Sequence, residues 1–334
     1  MNGISSSDLM VAGLASLALA SLSAPLVLRL LVRLKSQQTV SVYVPEHAAK
    51  QGTPTMGGIL ILIAVIGALA LARPEGWLAP VAVLLGFGLV GFLDDYVVPR
   101  WMPGKRGLGW MPKLGLEIGA VLGALAVGSP AGITSLEVGI AVFFVLFFCN
   151  AYNFADGLDG LAGSLGVIMA LSLLTIGLLV GLAPATLIAL VALAAAFVPF
   201  LMLNAPPARV FMGDIGALPI GALLGWAVVG LLGVGAPAFR PELLGPLFIW
   251  SGVMVLELVP VPLQILSVKL RKGKRLFPRT PIHHAFQHAG WPETRVTALF
   301  VLTQLVLALL AVGLALQYAG LALPLAQLAS KAGT

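Results

Sequence analysis

Five aspartates stand in short polar breaks between long apolar runs. Asp94 and Asp95 are adjacent, in Gly91-Phe92-Leu93-Asp94-Asp95-Tyr96. Asp156 and Asp159 close a stretch that begins Asn150-Ala151-Tyr152-Asn153 and continues through Gly157, Leu158 and Gly160. Asp214 follows Phe211-Met212-Gly213. Asn204, Lys50, Thr55 and the adjacent pair His283-His284 fall in similar breaks. Carboxylate and amide oxygens are hard donors, the kind that Mg²⁺ takes together with water and substrate phosphates. Two neighbouring carboxylates repel unless a cation lies close, so Asp94-Asp95 suits a base beside a metal. The three-residue spacing of Asn150 and Asn153, then of Asp156 and Asp159, suits one face of a continuing helix. Asn204 and Phe211 share a connector and supply an amide and an aromatic ring that can bond to and stack on a base. His283-His284 follow Lys269, Arg271, Lys272, Lys274, Arg275 and Arg279, a setting for phosphate or nucleotide contact. Zinc is disfavoured there, because adjacent histidines do not easily ligate one tetrahedral ion and the only cysteine, Cys149, closes an apolar run. The plainer readings are solvated acids at a helix end for Asp94-Asp95, a turn for Asp-Gly, and a helix cap for Asp214. The stretch from Thr53 to Gly58 lacks the Gly-Lys-Ser/Thr ending of a P-loop. Together these residues suit Mg²⁺-assisted phosphoryl transfer from a water-soluble anionic donor to a lipid acceptor.

The elements that must position them are membrane helices. Of 334 residues 59% are hydrophobic and 10% charged, with a mean hydropathy of +1.04. A soluble domain carries about 25% charged residues, so a single water-soluble core is excluded. A disordered chain, a coiled coil and a disulfide scaffold are excluded as well. Ten apolar runs cover residues 9–32, 59–72, 78–93, 114–127, 136–149, 161–182, 185–203, 215–235, 243–266 and 296–318. They predict an all-α polytopic membrane protein of about ten transmembrane helices. The run 136–149 is short for a span and crosses only if its helix continues through Asn150 and Asn153, which must then face protein or a wet cavity. The first run lacks a basic start and does not read as a cleavable signal. No internal repeat is visible, so the inverted-repeat pattern of many transporters is missing. All lysines and arginines except Arg73, Arg240 and Lys331 fall on or beside one set of alternate connectors. That bias places this set in the cytoplasm and both termini outside, and it accounts for the net charge of +6 without nucleic acid. The acids, amides and histidines gather on the same cytoplasmic face, which makes it the expected active site. Glu117 and Glu257 lie inside apolar runs instead.

At residues 52–58, 91–96, 150–161, 210–216, 257–264 with Lys269-Leu270-Arg271, and Pro281-Ile282-His283-His284 followed by Gly290-Trp291-Pro292-Glu293 and Arg295-Val296, the chain resembles the polyprenyl-phosphate N-acetylhexosamine-1-phosphate transferases. The motifs stand in the family's order over residues 50–296. The His-His and Gly-Trp-Pro-Glu section is similar to the branch that transfers phospho-N-acetylmuramoyl-pentapeptide. The resemblance implies ten transmembrane helices in one domain over residues 1–334, both termini outside, in the bacterial cytoplasmic membrane. It implies Mg²⁺ as cofactor, UDP-N-acetylmuramoyl-pentapeptide as donor, undecaprenyl phosphate as acceptor, contact with membrane lipids, a homodimer, and lipid I and UMP as products. A sister activity on another donor, such as UDP-N-acetylglucosamine, is the alternative. By matching position, Asp94, Asp95 and Asp214 are the implied catalytic residues, with Asp94 deprotonating the lipid phosphate. Asp214 and Asn153 are the implied Mg²⁺ ligands. Implied substrate contacts fall at Lys50, Thr55, Lys113, Asn150, Asp156, Gly157, Leu158, Asp159, Asn204, Phe211, Gln264, His283 and His284. The sequence departs from the family's pattern at Ala285 and Gln287, where a third histidine and an acid are usual, and at Val98, Ala217, Pro260 and Pro262. The two prolines predict a break or kink in the ninth run.

Overall fold

Leu, Ala, Val and Gly dominate the long runs, and a backbone surrounded by lipid must satisfy its own polar groups, so these runs fold as helices. The computed structural model describes residues 4–34, 52–102, 104–105, 107–128, 132–235 and 239–319, and among them every regular element is helical. Helix α1 is Ser6–Arg33, α2 Ile59–Ala72 and α3 Leu78–Phe92, the last continuing through a π turn, Leu93–Val97, into the short α4, Val98–Trp101. Then follow α5 (Trp110–Gly128), α6 (Ser135–Ala155), α7 (Leu161–Val180), α8 (Pro184–Asn204) and α9 (Asp214–Leu231). The ninth apolar run is divided into α10 (Leu244–Trp250), α11 (Gly252–Leu258) and α12 (Pro260–Leu270), and the chain closes with α13 (Ile282–His288) and α14 (Glu293–Tyr318).

Nine stretches among the described residues are long and apolar enough to cross a membrane; α2, with 14 residues, is shorter. Burial separates the centre from the rim: 83% of the apolar window of α9 and 67% of that of α8 is covered by protein, against 22% for α1 and α5. Helix α9 packs against α6 and α3, while α8 packs against α1, α7 and α2. Leu14, Leu22 and Leu26 of α1 point outward, as side chains facing lipid do. Helix α6 runs past its apolar segment to Ala155, carrying Asn150 and Asn153 along one face as expected.

One local expectation needs correction. The helix does not continue through Asp156 and Asp159. Asp156 is the C-cap (φ −82°, ψ 46°), and the chain then turns through Gly157 and Gly160 before α7. Glycines release the backbone from helical geometry, so these two acids belong to a loop. The two prolines do break the ninth run as expected: α11 ends at Leu258 and α12 starts at Pro260, while Val259 keeps helical dihedrals (φ −62°, ψ −38°), so the ladder is interrupted without reversing the chain. The sharper break lies one element earlier at Ser251 (ψ 1°), where Gln304 Nε2 donates to the Trp250 carbonyl (2.9 Å).

Candidate functional site: a carboxylate cluster at helix ends

The end of α3, the start of α5, the end of α6 and the start of α9 converge on one point. Asp94 and Asp95 lie in the π turn that follows α3. A π turn widens the helix by one residue and shifts the following side chains around its axis, a device frequent at functional sites. Asp94 Oδ1 accepts from the Leu108 amide (2.6 Å), which fixes one carboxylate oxygen. Asp95 Oδ2 accepts from the Ile215 amide (3.1 Å) at the open N-terminus of α9. The cap of α9 is therefore supplied by a different helix. Asp214, its first residue, is left to turn toward Lys113 and Asn153. That decides against the plain capping reading of Asp214.

Lys113, in the first turn of α5, donates to Asp214 and lies 3.5 Å from Asp94 Oδ2. Its ammonium sits between two carboxylates that would otherwise repel. Asn153 Nδ2 donates to Asp214 Oδ1 (2.8 Å). Asp94, Asp95 and Asp214 each offer an oxygen, and these atoms lie within 4.8 Å of one another. Three partly exposed hard oxygen donors at this spacing fit a divalent cation that keeps some water. Asn153, in contact with Asp214, can add its amide oxygen by turning the terminal amide over, because an amide presents either face.

The connector before α2 completes the wall. The Gly57 and Gly58 amides donate to the Phe211 and Met212 carbonyls (2.8 and 2.9 Å), and the Phe211 amide donates to Pro54 (2.8 Å). This pairing holds Thr55 against Gly213. Gly213 adopts φ +73°, and a Cβ there would lie 2.6 Å from Asp95 Oδ2 and 2.9 Å from Thr55 Oγ1. Only glycine lets the chain enter α9 this close to the acid pair. Phe211 is half-buried beside this junction. Lys50 lies outside the described residues.

Other residues expected at the site are turned toward backbone. Asn204 is buried (2% exposed); its Oδ1 accepts from Gly160 (3.0 Å) and its Nδ2 donates to Val210 (2.9 Å). Asp159 Oδ2 accepts from Ala208 (2.8 Å). Leu158 sends its side chain into the core, and its carbonyl accepts from the Leu161 amide (3.1 Å). Gln264 bonds three times to the Leu276–Phe277 backbone, through Oε1 to both amides (2.9 and 3.0 Å) and Nε2 to the Phe277 carbonyl (3.1 Å). These residues stitch the loops around the cluster. Asn150 Nδ2 donates to Glu117 Oε2 (3.1 Å) and to the Leu146 carbonyl (3.0 Å).

Three glutamates that local sequence left without a role are tied to this frame. Glu117 holds Asn150. Glu293 Oε1 accepts from the Asp159 amide (2.6 Å). Glu257, fully buried, lies 2.8 Å from Nδ1 of fully buried His283. The other ring nitrogen, Nε2, has no hydrogen-bond partner among the described residues and abuts Gly157, where a Cβ would lie 2.3 Å away. The Glu257 carboxylate thus fixes the ring and aims Nε2 at the Asp156–Asp159 turn. The signal for Glu257 in the sequence is a lone acid inside an apolar run, which requires a buried partner. His284 packs against His283 with ring centroids 4.1 Å apart and the rings tilted by 56°, and its Nδ1 lies 2.9 Å from Gln287 Oε1.

Known proteins are similar to this chain over most of its length. Residues 77–232, which contain Asp94, Lys113, Asn153 and Asp214, match the model of glycosyl transferase family 4. Residues 50–62 match phospho-N-acetylmuramoyl-pentapeptide-transferase signature 1. The chain is 37% identical over 304 residues to the phospho-N-acetylmuramoyl-pentapeptide-transferase of Moorella thermoacetica, covering 85% of this chain and 92% of that protein. It is 38% identical over 314 residues to the one of Desulforamulus reducens (85% and 89%) and 38% over 316 residues to the one of Heliobacterium modesticaldum (87% and 93%). Identity of this degree, over nearly the whole length of each relative and across every element that carries a cluster residue, places the chain in the phospho-N-acetylmuramoyl-pentapeptide-transferase family.

Proposed function

We infer that this protein transfers phospho-N-acetylmuramoyl-pentapeptide from its UDP-linked donor to undecaprenyl phosphate, giving lipid I and UMP. The observation that carries the reading is the meeting of Asp94, Asp95, Asp214 and Lys113 from three helices, in a chain that spans 92% of a relative of that name. In this reading an oxygen of the lipid phosphate attacks the sugar-bearing phosphorus of the donor. The phosphoanhydride bond breaks, and UMP leaves with its electron pair. Asp94 takes the proton of the lipid phosphate and Asp95 holds the entry of α9 in place. Lys113 keeps Asp94 and Asp214 together and lowers the repulsion that two anionic substrates meet there. Asp214 and Asn153, with the acid pair beside them, are the residues that would hold Mg²⁺. The ion supplies charge neutralisation and alignment of the phosphates. Phe211 and the Asp156–Asp159 turn line the approach of the uridine.

The reading treats residues 1–334 as one transferase domain in the cytoplasmic membrane. Helix α2 is its tenth span: 14 residues cover about 21 Å at 1.5 Å each, and the paired connector before it makes up part of the depth. The basic bias of the connectors supports both termini outside and the cluster at the cytoplasmic face. The test is UMP release by detergent-solubilised protein. Release with the N-acetylmuramoyl-pentapeptide donor, lost on chelation and restored by Mg²⁺, is the expected result. Release only with UDP-N-acetylglucosamine would assign a sister activity.

A further inference from the structure

The ends of α5 and α9 and the start of α8 enclose a cavity of about 330 Å³. Helices α5 and α9 both begin at the carboxylate cluster and hold 19 and 18 residues, about 28 and 27 Å at 1.5 Å each. Their far ends, and the cavity with them, therefore lie at the opposite face of the membrane. Leu125, Leu182, Trp226 and Val229 form apolar walls, and Thr186 stands beside them. Arg240 is the one charged residue among the described residues that line the space. Its backbone is fixed on both sides: the amide donates to the Leu232 carbonyl (2.9 Å), and the carbonyl accepts from the Leu243 amide (3.2 Å). Its Nη1 is buried and has no hydrogen-bond partner among the described residues. Glu137 reaches the same wall but is engaged elsewhere. Its Oε1 accepts from the Gly235 amide (3.0 Å), and its Oε2 accepts from the Thr134 amide and hydroxyl (2.9 and 2.7 Å).

A buried guanidinium nitrogen without an acceptor is costly, and the fold supplies no acid to offset it. Charge bias does not account for it either, because Arg240 stands apart from the face where basic residues gather. The group that satisfies it is an anion. The surroundings are apolar: Val127, Leu136 and Phe239, close in the chain to lining residues, turn their side chains outward, as positions facing lipid do. An anion arriving through such surroundings carries an apolar body, and a cationic headgroup finds no carboxylate among the described lining residues. We propose that this cavity binds an anionic phospholipid from the leaflet facing away from the carboxylate cluster. Arg240 holds the phosphate oxygens through charge-assisted hydrogen bonds, for which a planar guanidinium is well shaped. The Thr186 hydroxyl is a second donor, and Leu125, Trp226 and Val229 pack the first carbons of the lipid. So bound, the lipid ties the ends of α5, α8 and α9 together. Helix α9 is the one whose other end carries Asp214.

The test is thermal unfolding of the full-length protein, stripped of lipid in a neutral detergent and then given one additive at a time. Dioleoyl phosphatidylglycerol is expected to raise Tm by about 3 °C or more. Dioleoylglycerol, which lacks the phosphate, and inorganic phosphate at the same concentration should each move it by less than about 1 °C. Arg240→Gln should abolish the rise with phosphatidylglycerol. Its lipid-free Tm should be no lower than that of the unaltered protein, because an unpaired charge has gone. Arg73→Gln, at the end of α2 on the same face, should leave the rise intact. No rise with phosphatidylglycerol in the unaltered protein overturns the proposal without need of any variant. An equal rise in Arg240→Gln places the lipid elsewhere, and an equal rise with inorganic phosphate replaces the lipid by a free anion; either result defeats it. So does an equal rise with dioleoyl phosphatidylcholine, whose choline finds no acid in the cavity. A lower lipid-free Tm in Arg240→Gln means that the guanidinium is already paired, and an equal loss in Arg73→Gln reduces the effect to general surface charge; both count against the site.

Discussion

The carboxylate cluster and the basic connector between α12 and α13 are built in opposite ways. In the cluster, like charges are forced together by the ends of long helices, and the charged groups themselves make the contacts: Lys113 with Asp214 and Asp94, and Asp95 with the start of α9. In the connector, neutral side chains do the holding, with Gln264 and Ser267 bonded to backbone, and the cations ride on the loop so fixed. Repulsion among aspartates can be opposed only by elements that do not yield, and membrane-spanning helices meet that need. The turn at Gly157 and Asp159 joins the two regions, touching His283 on one side and bonded to Glu293 and Ala208 on the other.

Substitutions can break or sharpen this contrast. The largest effect is expected for Asp214→Asn, which removes the negative charge and one of the two acceptor oxygens that Lys113 and Asn153 share. UMP release should fall by about 10³-fold or more, with Tm little changed; a loss under tenfold would mean that the cluster is structural. Lys113→Met should lower kcat on the order of 10²-fold. The Mg²⁺ concentration for half-maximal rate should fall too, since a competing cation has gone from between Asp94 and Asp214. Glu257→Gln keeps the volume but loosens the hold on His283, and kcat/KM for the donor should drop about tenfold. An unchanged kcat/KM would show that His283 only packs. Asn204→Ala removes two bonds to buried backbone and should destabilise by about 1–3 kcal/mol, read as a lower Tm. Activity per folded molecule should change little. The smallest effect is expected at the far end of α6, where Thr134 and Glu137 form a capping box. Thr134→Ala should cost about 1 kcal/mol and leave kcat untouched, in contrast to Asn153 at the other end of the same helix.

Much of the fold is legible in the residues because lipid imposes so strict a rule on backbone. The apolar runs mark the helices, and the need to cross the membrane carries α6 through Asn150 and Asn153. The capture of Asp94, Asp95 and Asp214 as one group is legible too, since a chain with so few charges has little background against which an acid can hide. Less legible is the division of labour among polar residues. Asn204, Asp159 and Gln264 look like ligand contacts from type and position, yet each bonds to loop backbone. Helical spacing extended Asp156 and Asp159 onto a helix that two glycines end. Glu257 carried no role until His283 was found beside it, 26 residues on.

The sequence alone therefore determined the class of protein, the helices and the set of acids available for chemistry, because hydropathy and charge are local properties of the chain. Tertiary structure alone decided that Asp95 caps α9 while Asp214 faces Lys113, that Glu257 orients His283, and that Arg240 lines a cavity. Those relations join residues as many as 120 positions apart. Their distances are set by how helices pack, which no run of neighbouring residues encodes.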